Sequence, residues 1–449
     1  MASSYPTKWE TDVVLADGST AHIRPITPED ADRLVAFYDR VSDESKYYRF
    51  FAPYPKLTEK DVERFTHVDY VDRNALIVLR GTDMVAVGRY DKVTDHVAEV
   101  AFLVEDTQHG RGVGSVLLEH LAHDARECGF THFVADVLPQ NTKMIRIFKD
   151  AGYTVARSFD EGVVHLEFEI KPTVDSIAVM EARERVSEAR SVTRLLSPKS
   201  VAVVGASRTR ETIGQTLVRN LVVGGFTGRV YAVNPYATAI AGVPAYPSLR
   251  DLPEDIDLAL VAVPAESVAD VVADAAAKNV KGLVVVSSGF SETGDEGRAR
   301  EQELARLARG NGMRLIGPNC LGVINTDPEI SLTAVLPTVT PRPGPIGLFS
   351  QSGTLGTAIL QYMDARRLGL SSFVAAGSRA DVSGNDLLQY WGSDPRTQVV
   401  LLYLESLGNP RKFSRIARYM ARTKPIVVVK SGRRTPATPL TGATPEYQA

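Results

Sequence analysis

Cysteine is nearly absent: Cys128 and Cys320 are the only two among 449 residues. Two thiols cannot make a disulfide framework or a four-thiolate metal site. Long hydrophobic runs are lacking as well, and no apolar stretch approaches the roughly eighteen residues of a membrane-spanning helix. The opening Met1-Ala2-Ser3-Ser4-Tyr5-Pro6 lacks the apolar region of a secretory signal. Charge of one sign is scarce too. With 51 Lys and Arg against 54 Asp and Glu, the formal net charge is −3, which gives no electrostatic case for nucleic acid or an anionic membrane. The economical expectation is a cytoplasmic protein with no metal, no nucleic-acid partner and no membrane partner; a homo-oligomer stays open.

What is present is enough apolar residue, 44%, to fill cores, and a chain too long for one of them, so two to four domains are expected. Thr27-Pro28-Glu29-Asp30 reads as an N-cap with proline at the first helical position, opening a helix over Asp30–Val41. Thr58-Glu59-Lys60-Asp61 opens a second. Strands are expected at Asn74–Leu79, Met84–Asp91 and Val97–Val104, followed by a glycine-rich turn and a helix reaching about Glu127. Strand His132–Leu138, helix Asn141–Asp150 and strand Val163–Ile170 complete an α/β domain over residues 18–171. Residues 172–197 are highly charged and helix-forming, a helical linker that is either a lid segment or a solvated spacer. From Ser200 near-continuous apolar strands alternate with helices, as in a buried parallel sheet. That pattern gives a Rossmann-like domain over 198–336, a flavodoxin-like one over 344–434 after a proline-rich hinge, and a disordered tail over 435–449.

The turn His109-Gly110-Arg111-Gly112-Val113-Gly114 lies between the Val97–Val104 strand and its helix. Its glycines let backbone N–H groups crowd toward an anion, and the helix start adds unsatisfied N–H groups and the positive dipole end. The reading is a pyrophosphate cradle. Glu99 stands among apolar residues of the preceding strand, and Asn141 follows at a helix start before Phe148 and Tyr153. With these residues in view the segment resembles the GNAT acyltransferases over about residues 20–170. The resemblance implies that His109 to Gly114 hold the pyrophosphate of acetyl-CoA, that Phe102, Leu103 and Val104 pair with pantetheine, and that Asn141 contacts the acyl-CoA. It also implies acyl transfer to an amine, with Glu99 as general base. The bland alternative for Glu99 is a strand-end carboxylate in solvent or paired with Arg89; Glu105 is the second choice of base. Two positions depart from the family: His109 replaces Gln or Arg, and Phe148 stands where many members have a proton-donating tyrosine. Protonation of the leaving thiolate would then fall to Tyr153 or water, or the thiolate leaves unassisted.

Behind the first domain, Gly205-Ala206-Ser207 follows a strand without the dinucleotide fingerprint, and the next strand ends in Asn234-Pro235 where a ribose-binding acid would stand. NAD is therefore not expected. These segments, with Ser287-Ser288-Gly289-Phe290-Ser291-Glu292-Thr293-Gly294 and Gly317-Pro318-Asn319-Cys320-Leu321-Gly322, resemble the NDP-forming acyl-CoA synthetases and the succinyl-CoA synthetase α chain. The resemblance implies a second CoA or acyl-CoA site at Gly205, Ala206, Ser207, Asn234, Pro264, Ser287, Ser288 and Asn319. It extends through Ser350-Gln351-Ser352-Gly353, Gly377–Asp381 and Glu405, but Leu440 occupies the place of the family's phosphorylated histidine. A GNAT domain joined to such a region resembles the Pat-type protein lysine acetyltransferases. This implies a protein substrate, acyl-CoA synthetases among them, and CoA or acyl-CoA as a regulatory ligand. Two other readings stay open: an ADP-forming acyl-CoA synthetase subunit with an appended acetyltransferase, and a non-catalytic CoA-sensing scaffold.

Overall fold

A computed structural model describes residues 4–339 and 341–431. The described chain divides into two compact units, residues 4–187 with 309–312, and residues 188–308 with 313–431. Among the described residues no helix is long and apolar enough to cross a membrane.

In the first unit β1 (Thr11–Val14) and β2 (Thr20–Pro25) precede three helices, α1 (Ala31–Arg40), α2 (Asp43–Phe50) and α3 (Glu59–Thr66). A meander of β3 (Arg73–Arg80), β4 (Asp83–Lys92) and β5 (Val97–Val104) follows. Then come α4 (Val113–Glu127), β6 (His132–Val137), α5 (Thr142–Asp150), β7 (Val155–Asp160) and β8 (Val163–Glu169). The strands make one sheet in the order β1-β2-β3-β4-β5-β6-β8-β7. Every pair is antiparallel except β5–β6. Side chains alternate across the sheet with a period of two. Thus Ala98, Val100 and Phe102 join Val113, Val116 and Leu117 of α4 in one core, while Leu103 joins Leu34, Phe37 and Tyr38 of α1 in another on the opposite face. Helix α2 and strand β7 go beyond the sequence reading. The cue for α2 was available: Ser42 is an N-cap whose hydroxyl oxygen accepts from the Ser45 N–H (3.2 Å), with Asp43 and Glu44 in the first turn.

The expected linker is the helix α6 (Val174–Leu196), and neither part is a bare solvated spacer. Within the first unit Arg183 pairs with Glu119 of α4. Within the second, Val192, Leu195 and Leu196 are fully buried in the core.

The second unit contains two sheets. The first uses β9 (Ser200–Val204), α7 (Ile213–Val223), β10 (Arg229–Val233), β11 (Ala239–Ile240), β12 (Val243–Tyr246), β13 (Leu258–Val261), α8 (Val268–Ala277), β14 (Gly282–Val285), α9 (Asp295–Gly310) and β15 (Arg314–Ile316). Its strand order, β11-β12-β10-β9-β13-β14-β15, is parallel apart from the β11–β12 hairpin. The second uses β16 (Gly322–Asn325), β17 (Leu332–Val335), β18 (Pro343–Ser350), α10 (Gly353–Ala365), β19 (Leu370–Ala375), α11 (Gly384–Ser393), β20 (Val399–Leu404), α12 (Pro410–Met420) and β21 (Ile426–Lys430), in the order β17-β16-β19-β18-β20-β21. The fold is the expected α/β class, with one difference of grouping. The sequence assigns residues up to 336 to the second domain, yet β16 pairs antiparallel with β19 from Gly322↔Ala375 to Asn325↔Ser372. Four-residue buried strands carry too little pattern to show which sheet they join.

A buried ion cluster ties this unit together. Arg314, 2% exposed in its side chain, reaches Glu188 of α6 (2.8 Å), Asp381 (2.8 Å) and Asp386 of α11 (3.6 Å). Its guanidinium also donates to the Ser191 hydroxyl (2.7 Å), and Asp381 accepts from the Leu315 N–H (2.8 Å). Asp381, part of the synthetase-like motif, is thus a structural anchor here.

Candidate functional site

The strand β5 is held by β4 along its length, from Ala86↔Val104 to Lys92↔Ala98. Its pairing with β6 is much shorter and runs only through Val97↔His132, Ala98↔Phe133 and Glu99↔Val134. Beyond Glu99 the two parallel strands part, since β6 continues to Val137 in pairing with β8. The backbone of Val100–Val104 therefore faces the gap with its edge unpaired, and Phe102, Leu103 and Val104 lie in that stretch. Glu99 sits at the apex, exposed, with Asp91 as its direct cross-strand neighbour.

At the open end the chain enters the glycine-rich turn. Gly110 and Gly112 have φ of +78° and +79°, a left-handed conformation that a Cβ disfavours. Gly112 is the N-cap of α4, and no side chain caps that helix. Its first-turn N–H groups, on Val113 and Gly114, are left for a ligand or water. The side chains of the turn are otherwise engaged. Arg111 donates to Asp17 (3.0 Å), Ser19 and Gln108, so it offers an anion its main chain rather than its guanidinium. His109 Nε2 lies 3.1 Å from the Val104 carbonyl oxygen. Asn141 caps α5 through its side-chain oxygen, which accepts from the Met144 N–H (3.1 Å). Replacing Gly112 with alanine forces a Cβ to 3.3 Å from that of Ala16 at positive φ. The expected result is an acetyl-CoA affinity about tenfold weaker in a calorimetric titration, matching a left-handed penalty of ~1–2 kcal/mol.

Three sequence expectations change. Glu105 is no free base: it pairs with Arg40 (3.1 Å) and accepts from the Thr107 hydroxyl (2.8 Å). Tyr153 stacks on Phe168 with centroids 5.4 Å apart and faces Arg126, in the last turn of α4. That end lies about 20 Å along the helix from the cradle at 1.5 Å per residue. Burial pushes the Tyr153 phenol up from its ordinary value, and its place does not suit protonation of a thiolate. Phe148 is 1% exposed and packs against Phe102 and Phe168 (6.0 and 5.5 Å), a core residue. Nor does Glu99 pair with Arg89, which lies opposite Ala101 and stacks over the Phe65 ring (4.1 Å).

In the second unit the expected site residues follow the carboxyl ends of parallel strands. Gly205, Ala206 and Ser207 follow β9; Asn234 follows β10; Pro264 follows β13; Ser287 and Ser288 follow β14; Asn319 follows β15. The chain leaves β9 for β10 on one side and finds β13 on the other, so β9 and β13 flank the switch point where such sheets bind ligands. A Cβ on Gly205 would stand 2.4 Å from the Ala262 carbonyl oxygen, so only glycine fits there. Asn234 donates to the Ala206 carbonyl oxygen (2.7 Å), and the Ser287 carbonyl oxygen accepts from the Asn319 N–H (2.9 Å). The loops are thereby locked to one another. Cys320 is a buried thiol pushed up to about 12 by burial, consistent with an inert turn residue. Gln351 accepts from the N–H groups of Glu405 (2.6 Å) and Ser406 (2.9 Å), which holds exposed Glu405 beside the start of α10. Leu440 lies outside the described residues.

Comparison with known proteins finds three matched regions. Residues 37–153 match the acetyltransferase (GNAT) family, residues 199–326 the CoA binding domain, and residues 343–443 the succinyl-CoA ligase-like flavodoxin domain. The chain thus carries a GNAT acetyltransferase domain, followed by a CoA-binding domain and a succinyl-CoA ligase-like flavodoxin domain. The first domain is 58% identical to the GNAT domain of PAT from S. lividans, over 37% of this chain and 99% of that one, with a TM-score of 0.36. The later region is 44% identical over 240 residues to the ADP-forming acetate–CoA ligase I of Archaeoglobus fulgidus, covering 54% of this chain and 34% of that protein. It is also similar to the dinucleotide-forming acetyl-coenzyme A synthetase 1 of Ca. Korarchaeum cryptofilum, with 39% identity, 54% and 52% of the two chains covered, and a TM-score of 0.52. The matched region thus spans about a third to a half of these synthetases.

Proposed function

We propose that this protein transfers the acetyl group of acetyl-CoA to lysine side chains of other proteins, acyl-CoA synthetases among them. The observation that carries the reading is the parting of β5 from β6 just after Glu99↔Val134, with the cradle at the open end. Pantetheine fits the gap as an added strand along Phe102, Leu103 and Val104, with its pyrophosphate at Gly110–Gly114. A free N–H of β5 polarises the thioester carbonyl. Glu99 accepts the proton of the incoming ammonium, the amine nitrogen attacks the carbonyl carbon, and the C–S bond breaks as the tetrahedral intermediate collapses. The thiolate leaves and takes its proton from water, as neither Phe148 nor Tyr153 is placed to give one. The strand-end loops of the second unit take CoA or acyl-CoA at Gly205–Ser207, Asn234, Pro264, Ser287, Ser288 and Asn319, and that ligand biases acetyl transfer.

The test is incubation of the full chain with labelled acetyl-CoA, a purified acetyl-CoA synthetase and a cell lysate. Label on lysines of the synthetase, identified by mass spectrometry, is the expected result; label on small amines alone would move the acceptor to another class. The 44% identity to an ADP-forming ligase supports a rival, a synthetase subunit with an appended transferase. ATP-dependent acyl-CoA formation on adding a nucleotide-binding partner subunit would favour it.

A further inference from the structure

Opposite α4, on the other face of the sheet, helices α1, α2 and α3 and strands β4 and β5 line a small, half-open cleft. Its walls include Leu34, Phe50, Leu57 and Phe65, and Ala101 and Leu103 of β5 form part of its floor. Two cations line this otherwise apolar space, Arg49 of α2 and Arg89 of β4. Arg89 is 7% exposed and is held face to face with the Phe65 ring at 4.1 Å. Arg49 lies 5.2 Å from the Phe50 ring. Among the described residues neither guanidinium has a hydrogen-bond or ion-pair partner. The acids that act on these charges are Glu99 and Asp91. Asp91 is bound by Arg73 (2.8 Å), and Glu99 stands exposed at the apex of the gap. Desolvation pushes the Arg89 guanidinium down to about 9, and the neighbouring Arg49 charge adds to it. Glu99 and Asp91 offset part of the Arg49 charge and Asp91 part of the Arg89 charge, but neither acid makes an ion pair with them, and two like charges in a largely apolar cleft are costly to maintain.

We propose that Arg49 and Arg89 form a carboxylate-binding subsite of the transferase cleft. The inference rests on the proposed acyl-transfer reading of β5. A guanidinium fork matches a carboxylate in bidentate geometry, and the apolar walls suit a short methylene chain carrying it. Because Ala101 and Leu103 line both the cleft and the edge for acyl-CoA, the carboxylate belongs either to a dicarboxylic acyl group of the donor or to an acidic side chain flanking the acceptor lysine. An arginine pair here selects which acyl group or which lysine is used, while Glu99 performs the proton transfer.

Two pairs of probes, titrated by calorimetry into the full chain, separate the sources. Succinyl-CoA against butyryl-CoA reads the donor, and acetyl-Glu-Lys-Glu-amide against acetyl-Gln-Lys-Gln-amide, each with CoA present, reads the acceptor. In one of the two pairs the carboxylate member is expected to bind about tenfold to a hundredfold tighter. In Arg89→Met, and separately in Arg49→Met, that ratio falls toward one. Equal binding within both pairs, or a ratio that survives both substitutions, overturns the subsite. Acetyl transfer to lysine without any such ratio would leave the proposed function intact and remove only this inference. Thermal melting of both variants identifies a substitution that acts by unfolding, and the other variant then decides.

Discussion

Glu99→Gln is expected to lower lysine acetylation by about 10²–10⁴-fold, the span that general-base catalysis covers. The amide keeps the size of the carboxylate and cannot take the ammonium proton. Glu99 is the last β5 residue paired to β6, so it stands where the gap for the thioester begins. Its backbone stays in the sheet through Asp91↔Glu99 on one side and Val134 on the other, and the substitution has no buried contact to break. Acetyl-CoA affinity is therefore expected to stay within about twofold of wild type, while the rate collapses. That split between binding and turnover distinguishes a lost base from a damaged site. The loss should also shrink at high pH, where a growing fraction of lysine arrives already deprotonated and needs no base. Glu105→Gln is the control, because its carboxylate already serves Arg40 and Thr107. A wild-type rate in Glu99→Gln, measured with saturating acetyl-CoA, removes Glu99 from the mechanism.

The cradle and its strand were legible because local rules govern them. Glycines at positive φ, an apolar strand before and an apolar helix after are all patterns within about thirty residues. The parting of β5 and β6 was not legible in the residues themselves. It depends on register between segments some 35 residues apart, and only the family resemblance suggested it. Side-chain roles were harder still. Arg111 looked like a phosphate ligand and is turned to Asp17, a residue distant in sequence. Arg89 looked like a partner for Glu99, but direct opposition across β4 and β5 puts it beside Ala101. Arg49 was missed because α2 was missed, although Ser42, Asp43 and Glu44 signalled a helix start. In the second unit the strand-end motifs fell where the sequence placed them, whereas β16 and β17 joined a different sheet. Short buried strands and charged side chains are settled by distant partners, and a single chain's pattern does not contain them.

Arg314→Met is expected to destabilise the second unit by about 3–5 kcal/mol, the cost of removing one partner from a buried ion cluster. The guanidinium is the common counter-ion of Glu188, Asp381 and Asp386, all in or near the core of that unit. Methionine fills much of the volume and leaves these carboxylates without it. Glu188 also lies 3.6 Å from the Lys412 ammonium, but that contact is too long to replace the 2.8 Å contact with Arg314. For a unit of this size, ~3–5 kcal/mol corresponds to a melting shift of about 6–20 °C. Differential scanning calorimetry of the full chain should show the transition of the second unit move by that amount, with the first-unit transition in place. The pH dependence has a definite sign. Burial already holds the Glu188 carboxyl above its ordinary range, and losing Arg314 raises it further. A carboxyl with a raised folded pKa binds more protons in the native state, so its destabilisation is absent at pH below the unfolded value and grows as pH rises. The gap between variant and wild type is therefore widest at neutral pH and narrows toward about pH 4. Adding Glu188→Leu to Arg314→Met should recover part of the loss, since an apolar pair removes one orphaned charge. A second-unit transition that moves by less than about 2 °C, or a deficit that does not change with pH, would show that packing rather than charge holds α6, β15 and α11 together.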